Sequence, residues 1–189
     1  MGPVEISTQI EHASGFSRVW DEVATAPPSE FLDLGSGGGL PGLVLFERWG
    51  CPATFVDSMV KRTSFLEEVL HWEGAPSTGE VINGRAEVLA RSPDLEARYP
   101  LVTARSFGPP SVTAECAVRF LRLDGVLIVS EPPDDEDVSR WDGTGLAKLG
   151  MRSEGRVRQG AAFQILRKVA ATPRAYPRDT GIPGKNPLF

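Results

Sequence analysis

The run Phe31-Leu32-Asp33-Leu34-Gly35-Ser36-Gly37-Gly38-Gly39-Leu40-Pro41-Gly42 constrains this chain more than any other segment. Its first four residues form a short apolar strand closing near an acid. The glycines after it let the main chain turn tightly and approach a ligand, and Pro41 suits the start of a helix because its missing N–H would be unpaired there anyway. Strand, glycine turn and helix in that order put a binding crevice at the carboxyl end of the first strand of an open α/β sheet. Gly37, Gly39 and Gly42 also satisfy G-x-G-x-x-G, so spacing alone admits a dinucleotide. Asp33 argues the other way: it would repel a pyrophosphate and attract a ligand with an ammonium end.

The rest of the chain repeats the alternation. Phe31 to Leu34, Ala53 to Val56, Glu80 to Asn83, Leu101 to Ala104 and Val126 to Val129 read as strands. Helical patterns lie between them, at Pro41 to Trp49, Val60 to Trp72, Ala86 to Ala90 and Ser111 to Leu121. In the second of these, Phe65, Leu66, Val69 and Leu70 share one face. Strands separated by helices require crossovers, hence a mostly parallel sheet with helices on both faces. The acidic, proline-containing Glu131 to Asp137 cannot extend a strand and reads as an exposed loop. Arg152 to Val157 and Ala161 to Val169, joined by Arg158-Gln159-Gly160, read as an antiparallel C-terminal hairpin. The division expected is a helical segment over 1–30, one α/β domain over 31–171 and a basic tail over 172–189, either packed as an arm or mobile.

A length of 189 residues suits one core. Without a basic-then-apolar leader or a run long enough to span a bilayer, the expectation is a soluble cytoplasmic protein, and nothing in the sequence demands more than a monomer. Cys51 and Cys116 lack metal-ligand spacing and read as core thiols, so no metal site is expected. The net charge of −5 argues against a protein that coats nucleic acid. The charge is uneven, however: from Lys148 onward nine basic residues face two acidic ones, against 11 and 23 in the first 147 residues. Such a basic end either meets a polyanion or solvates edge strands.

Asp57 closes the second strand, where its carboxylate either accepts from ribose hydroxyls or caps the following helix. Beyond these local readings, several segments agree in order and spacing with one family. Asp33 to Gly42, Val56-Asp57-Ser58 with Lys61-Arg62 and Phe65-Leu66, Gly84-Arg85-Ala86-Glu87, and Ala104-Arg105-Ser106-Phe107 together resemble the glucose-inhibited division protein B family. These are guanine-N7 methyltransferases of bacterial small-subunit (16S) ribosomal RNA. The ending Tyr176-Pro177-Arg178 with Gly181, Pro183, Lys185 and Pro187-Leu188 resembles the tail of some members.

The resemblance implies a Rossmann-like class I methyltransferase fold with S-adenosyl-L-methionine as cofactor and ribosomal RNA or the small ribosomal subunit as partner. The cofactor would be held by Asp33, Gly35, Gly37, Gly39, Leu40, Asp57, Ala86, Glu87 and Arg105. Arg105 would lie at the RNA-facing mouth as the catalytic candidate, unless it pairs with Glu87. Lys61, Arg62, Arg178 and Lys185 are candidates for RNA contact. Guanine N7 carries a free lone pair, so transfer needs alignment but no general base, which suits a chain whose only histidines, His12 and His71, do not close a strand. Two departures stand out. Only about 30 residues precede the first strand, suggesting a reduced N-terminal cover, with one helix within Glu5 to Val23. After the fifth strand the family's Lys-Gly is replaced by Ser130-Glu131-Pro132. Net acidity and that missing lysine keep open a small-metabolite methyltransferase, or a cofactor-binding interaction protein without turnover. A dinucleotide reductase ranks last, for want of a Tyr-Lys or Ser-Tyr arrangement.

Overall fold

The computed structural model describes residues 5–73, 77–133 and 140–189. A seven-stranded sheet runs through it in the order β3-β2-β1-β4-β5-β7-β6. The strands are β1 (Phe31–Leu34), β2 (Ala53–Asp57), β3 (Gly79–Asn83), β4 (Tyr99–Ala104), β5 (Leu121–Glu131), β6 (Met151–Gln159) and β7 (Ala161–Lys168). β1 to β5 are parallel, whereas β7 joins β5 and β6 antiparallel. The chain moves from β1 to one side and then to the other, so β1 and β4 flank a switch point whose carboxyl end is open for a ligand.

Alternation along the strands sorts the core into two layers. Phe31, Phe55, Leu101 and Ile128 point to one face, where they meet Phe16 and Trp20 of α1 (Ile6–Val23), Leu45 and Phe46 of α2 (Gly42–Trp49) and Leu66 of α3 (Val60–Leu70). Leu32, Leu34, Val102 and Leu127 point to the other. There they pack on Ala86 of α4 (Ala86–Leu89), Ala114 and Ala117 of α5 (Pro110–Ala117) and Leu146 and Leu149 of α6 (Gly143–Leu149). A parallel sheet covered on both faces needs apolar residues on both, and every residue of β1, β2 and β4 is buried.

Several sequence expectations need correction. The strand expected over Val126 to Val129 is longer at both ends, and the helix expected to reach Leu121 stops at Ala117, because Leu121 already pairs with Tyr99. Phe65 is exposed; Thr63 and Leu66 carry the buried stripe of α3. Cys116 is buried, but Cys51 is only partly so, on the loop before β2. α6 was not expected: Asp142 caps it by accepting from Gly145 N at 2.6 Å, and Gly150 ends it in the left-handed conformation. The acidic stretch Asp134 to Asp137 lies outside the described residues.

The tail is a packed arm carrying a short helix, α7 (Ile182–Lys185). Tyr176, Leu188 and Phe189 lie on the core. Arg119 donates to the carbonyls of Tyr176 and Pro173, and Arg91 to those of Arg174 and Pro177. The main attachment is Arg178, whose backbone N, Nε and Nη2 reach the fully buried Glu115 carboxylate at 2.7, 2.9 and 2.6 Å.

Candidate active site

The glycine turn is held from behind by two carboxylates. Asp33 is buried, and its register opposite Thr103 brings Thr103 Oγ1 to Oδ1 at 2.8 Å, while Gly42 N donates to Oδ2 at 3.2 Å. A Cβ on Gly42 would stand 2.5 Å from that same oxygen, so glycine is required there for the carboxylate to reach the helix start. Burial pushes the Asp33 pKa up to about 6 despite these hydrogen bonds. Asp33 therefore braces the turn, with both carboxylate oxygens engaged by the chain's own donors. Asp57 grips the turn from the second strand: Oδ2 accepts from Gly37 N at 2.9 Å and from Arg62 Nη1 at 3.3 Å, and Oδ1 from Met59 N at 2.9 Å. It thus orders the entry to α3 and still lines the crevice.

That crevice is a cavity of 240 Å³ over the carboxyl ends of β1 to β4. Gly35, Val56, Asp57, Ala86, Glu87 and Phe107 are among its lining. Gly35 takes φ +72°, and a Cβ there would meet the Phe107 ring at 2.6 Å. Ser106, in the same wall, is a non-glycine residue at φ +54°, a strained conformation of the kind that collects at functional sites. Across the cavity, Glu87 accepts from Arg85 at 2.8 Å and from Gly181 N of the tail at 3.0 Å. Burial alone would raise its pKa, but Arg85 and the Gly181 N–H outweigh it and hold the carboxyl low. Cys116 lines the same space as a neutral thiol, its pKa pushed up to about 12 by burial.

Of the residues expected to hold a cofactor, Gly35, Asp57, Ala86 and Glu87 converge on this cavity; Asp33, Gly37, Gly39, Leu40 and Arg105 lie outside its lining. Arg105 hydrogen-bonds Gln9 of α1, not Glu87, and burial lowers its pKa. Arg62, expected on the RNA side, lines the cavity and pairs with Asp57. Arg178 is committed to Glu115, whereas Lys61 and Lys185 are exposed. Much of the rest of the basic C-terminal part is likewise occupied. Arg152 and Arg167 pair with Glu154, Arg156 and Arg158 donate to Pro132 O and Pro133 O, and Lys168 caps the carbonyls of Val118 and Leu121. Arg85, Val112, Gly181 and Gly184 are lining residues that sequence reasoning did not single out. Arg85, Phe107 and Gly181 sat inside the segments that carry the resemblance, but Val112 and Gly184 carried no local signal. His12, remote from any strand end in sequence, reaches Ser130 Oγ at 2.9 Å near the carboxyl end of β5, and burial, with the nearby Arg105 cation, lowers its pKa.

Sheet order, switch-point crevice and braced glycine turn define a class I methyltransferase fold. A solved SAM dependent methyltransferase from Aquifex aeolicus superposes with a TM-score of 0.65 at 16% identity, covering 86% of this chain and 93% of that one. The family described as rRNA small subunit methyltransferase G (GidB) matches residues 15–137, and the chain belongs to it. The ribosomal RNA small subunit methyltransferase G of Symbiobacterium thermophilum is 33% identical over 95% of this chain and 78% of its own length. That of Lactobacillus delbrueckii is 30% identical over 90% and 74%. Among the described residues no helix is long and apolar enough to cross a membrane.

Proposed function

We propose that this chain transfers a methyl group from S-adenosylmethionine to N7 of a guanine in 16S ribosomal RNA of the small subunit. The observation that carries the reading is the cavity at the switch point of a family member, bounded by Gly35, Asp57, Ala86 and Glu87. Its make-up fits the cofactor. Val56, Ala86, Val112, Phe107 and Cys116 offer an apolar slot for an adenine ring, and the Asp57 carboxylate retains acceptor capacity for ribose hydroxyls.

When bound, the cofactor supplies an electrophilic methyl group on a sulfonium. The chain's own part is positioning. Asp57 keeps the glycine turn closed against the ligand, Glu87 and its partner Arg85 bound the adenine end, and the tail through Gly181 and Gly184 forms the outer wall. Guanine N7 needs no deprotonation, so alignment carries the rate. Arg105, bonded to Gln9 beside β4, is assigned to hold substrate at the mouth rather than to move a proton. On this reading 31–171 is the catalytic domain, 1–30 its helical cover and 172–189 the wall of its pocket, acting as a monomer in the cytoplasm.

A methyltransferase for a small metabolite is the second reading, favoured by the acidic balance and by Ser130-Glu131-Pro132 where the resemblance led to Lys-Gly. The test is transfer from methyl-labelled S-adenosylmethionine to unmethylated small ribosomal subunits, with the product nucleoside identified. N7-methylguanosine in the RNA supports the proposal, and cofactor binding with no RNA product overturns it. Arg105→Ala is expected to reduce kcat/KM for the RNA at least tenfold, chiefly through a raised KM, while leaving cofactor affinity within about twofold, as loss of a substrate-holding contact would.

A further inference from the structure

A second cavity, of 290 Å³, opens beside the first and shares Ser106 and Phe107 with it. Its floor is the end of β5 from Val129 to Pro132, and Arg140 and Trp141 wall it opposite the loop that follows β4. Its polar centre is Glu131, whose side chain is 5% exposed. Oε1 accepts from Trp141 Nε1 at 3.0 Å and Oε2 from Arg140 Nη1 at 2.7 Å. These two donors fix the carboxylate and offset its charge, and each oxygen keeps a further lone pair. A buried, oriented carboxylate whose charge is offset is well suited to a flat ring that presents donors along one edge.

We infer that this second cavity takes the acceptor base and that Glu131 selects guanine by accepting from its N1–H and its exocyclic N2–H. The inference rests on the methyl-transfer reading above. Guanine carries those two donors side by side on its Watson–Crick edge. Adenine sets one donor beside an acceptor nitrogen, which a carboxylate repels. N7 lies on the other side of the purine, so this grip leaves the nucleophile uncovered. Phe107, only partly buried, supplies aromatic surface for stacking, the usual partner of an unpaired base, whereas the buried Trp141 holds the carboxylate in place.

The experiment saturates the purified protein with S-adenosylhomocysteine, filling the first cavity, and then titrates guanosine, inosine and adenosine 5′-monophosphates by NMR. Inosine differs from guanosine only in lacking the N2 amino group. The guanine nucleotide is expected to bind roughly tenfold tighter than the other two, the usual scale for a bidentate base contact. Glu131→Gln is expected to erase that preference with S-adenosylhomocysteine affinity unchanged. Equal binding of the three nucleotides, binding of none, or a preference that survives Glu131→Gln overturns the assignment. If Glu131→Gln does not fold, Trp141→Phe, which keeps an aromatic ring but removes the Nε1 donor, is expected to weaken the preference, and full retention overturns the proposal. Failure of S-adenosylhomocysteine to bind is read before any nucleotide is added, so it is distinguished as failure of the methyl-transfer reading itself.

Discussion

Asp33 combines two demands that pull against each other, closing the turn and sitting in the core. Its folded pKa of about 6 stands above the ordinary 3.8, with burial as the main cause. A raised carboxyl pKa means that the group's contribution to stability is fully present below the unfolded value and is lost as pH rises through the folded one. The shift corresponds to about 3 kcal/mol. Asp33→Asn keeps one acceptor and cannot ionise, so it is expected to gain stability relative to the parent by up to about 3 kcal/mol between pH 4 and pH 8. Urea unfolding across that range checks it, and parallel profiles would contradict the assignment. The residue types at this site were legible because the glycine turn, Asp57 and Ala86-Glu87 sit in local motifs. The role of Asp33 was not, since Thr103 lies 70 residues away and only strand register brings the two together.

Among elements, β1 to β5 were readable because each is a short apolar run between turn residues, and both sheet faces are covered. α6 escaped notice because Gly143-Thr144-Gly145 opens it with poor helix formers and only Leu146 and Leu149 mark its buried side. The tail was ambiguous for a related reason: its order comes from Arg178 meeting Glu115 across 63 residues, which no local pattern reveals. Arg178→Ala would leave Glu115 buried without that partner, at a cost of about 3 kcal/mol. Because the same arm supplies Gly181 and Gly184 to the cavity wall, S-adenosylmethionine affinity is expected to fall as well. Thermal unfolding and calorimetry on one preparation test both. A lower Tm with unchanged affinity would make the tail a brace only.

For the whole molecule, the proposed RNA substrate raises the question of how a chain of net charge −5 would meet a polyanion. Most of the basic C-terminal side chains are tied to carboxylates or carbonyls of the chain itself, which leaves few cations for RNA, Lys61 and Lys185 among the exposed ones. Binding to the small subunit should therefore show a shallow salt dependence. Replacing both lysines with alanine is expected to weaken binding and to flatten the log–log salt slope by about 1.4 to 1.8, because each lost phosphate contact removes somewhat less than one counterion. An unchanged slope would place the RNA path elsewhere. The second cavity was invisible in sequence because Glu131 and Phe107 belong to different segments and Trp141 sits in none that was singled out.

The central claim is that the braced glycine turn and Asp57 hold S-adenosylmethionine. Calorimetric titration of the purified protein with S-adenosylmethionine, and separately with NADH, tests it most directly. The expected result is one-to-one binding of the former alone, weakened at least tenfold by Asp57→Ala, the scale of a lost hydrogen bond to a charged group. Binding of NADH alone, or S-adenosylmethionine affinity untouched by Asp57→Ala, would contradict it.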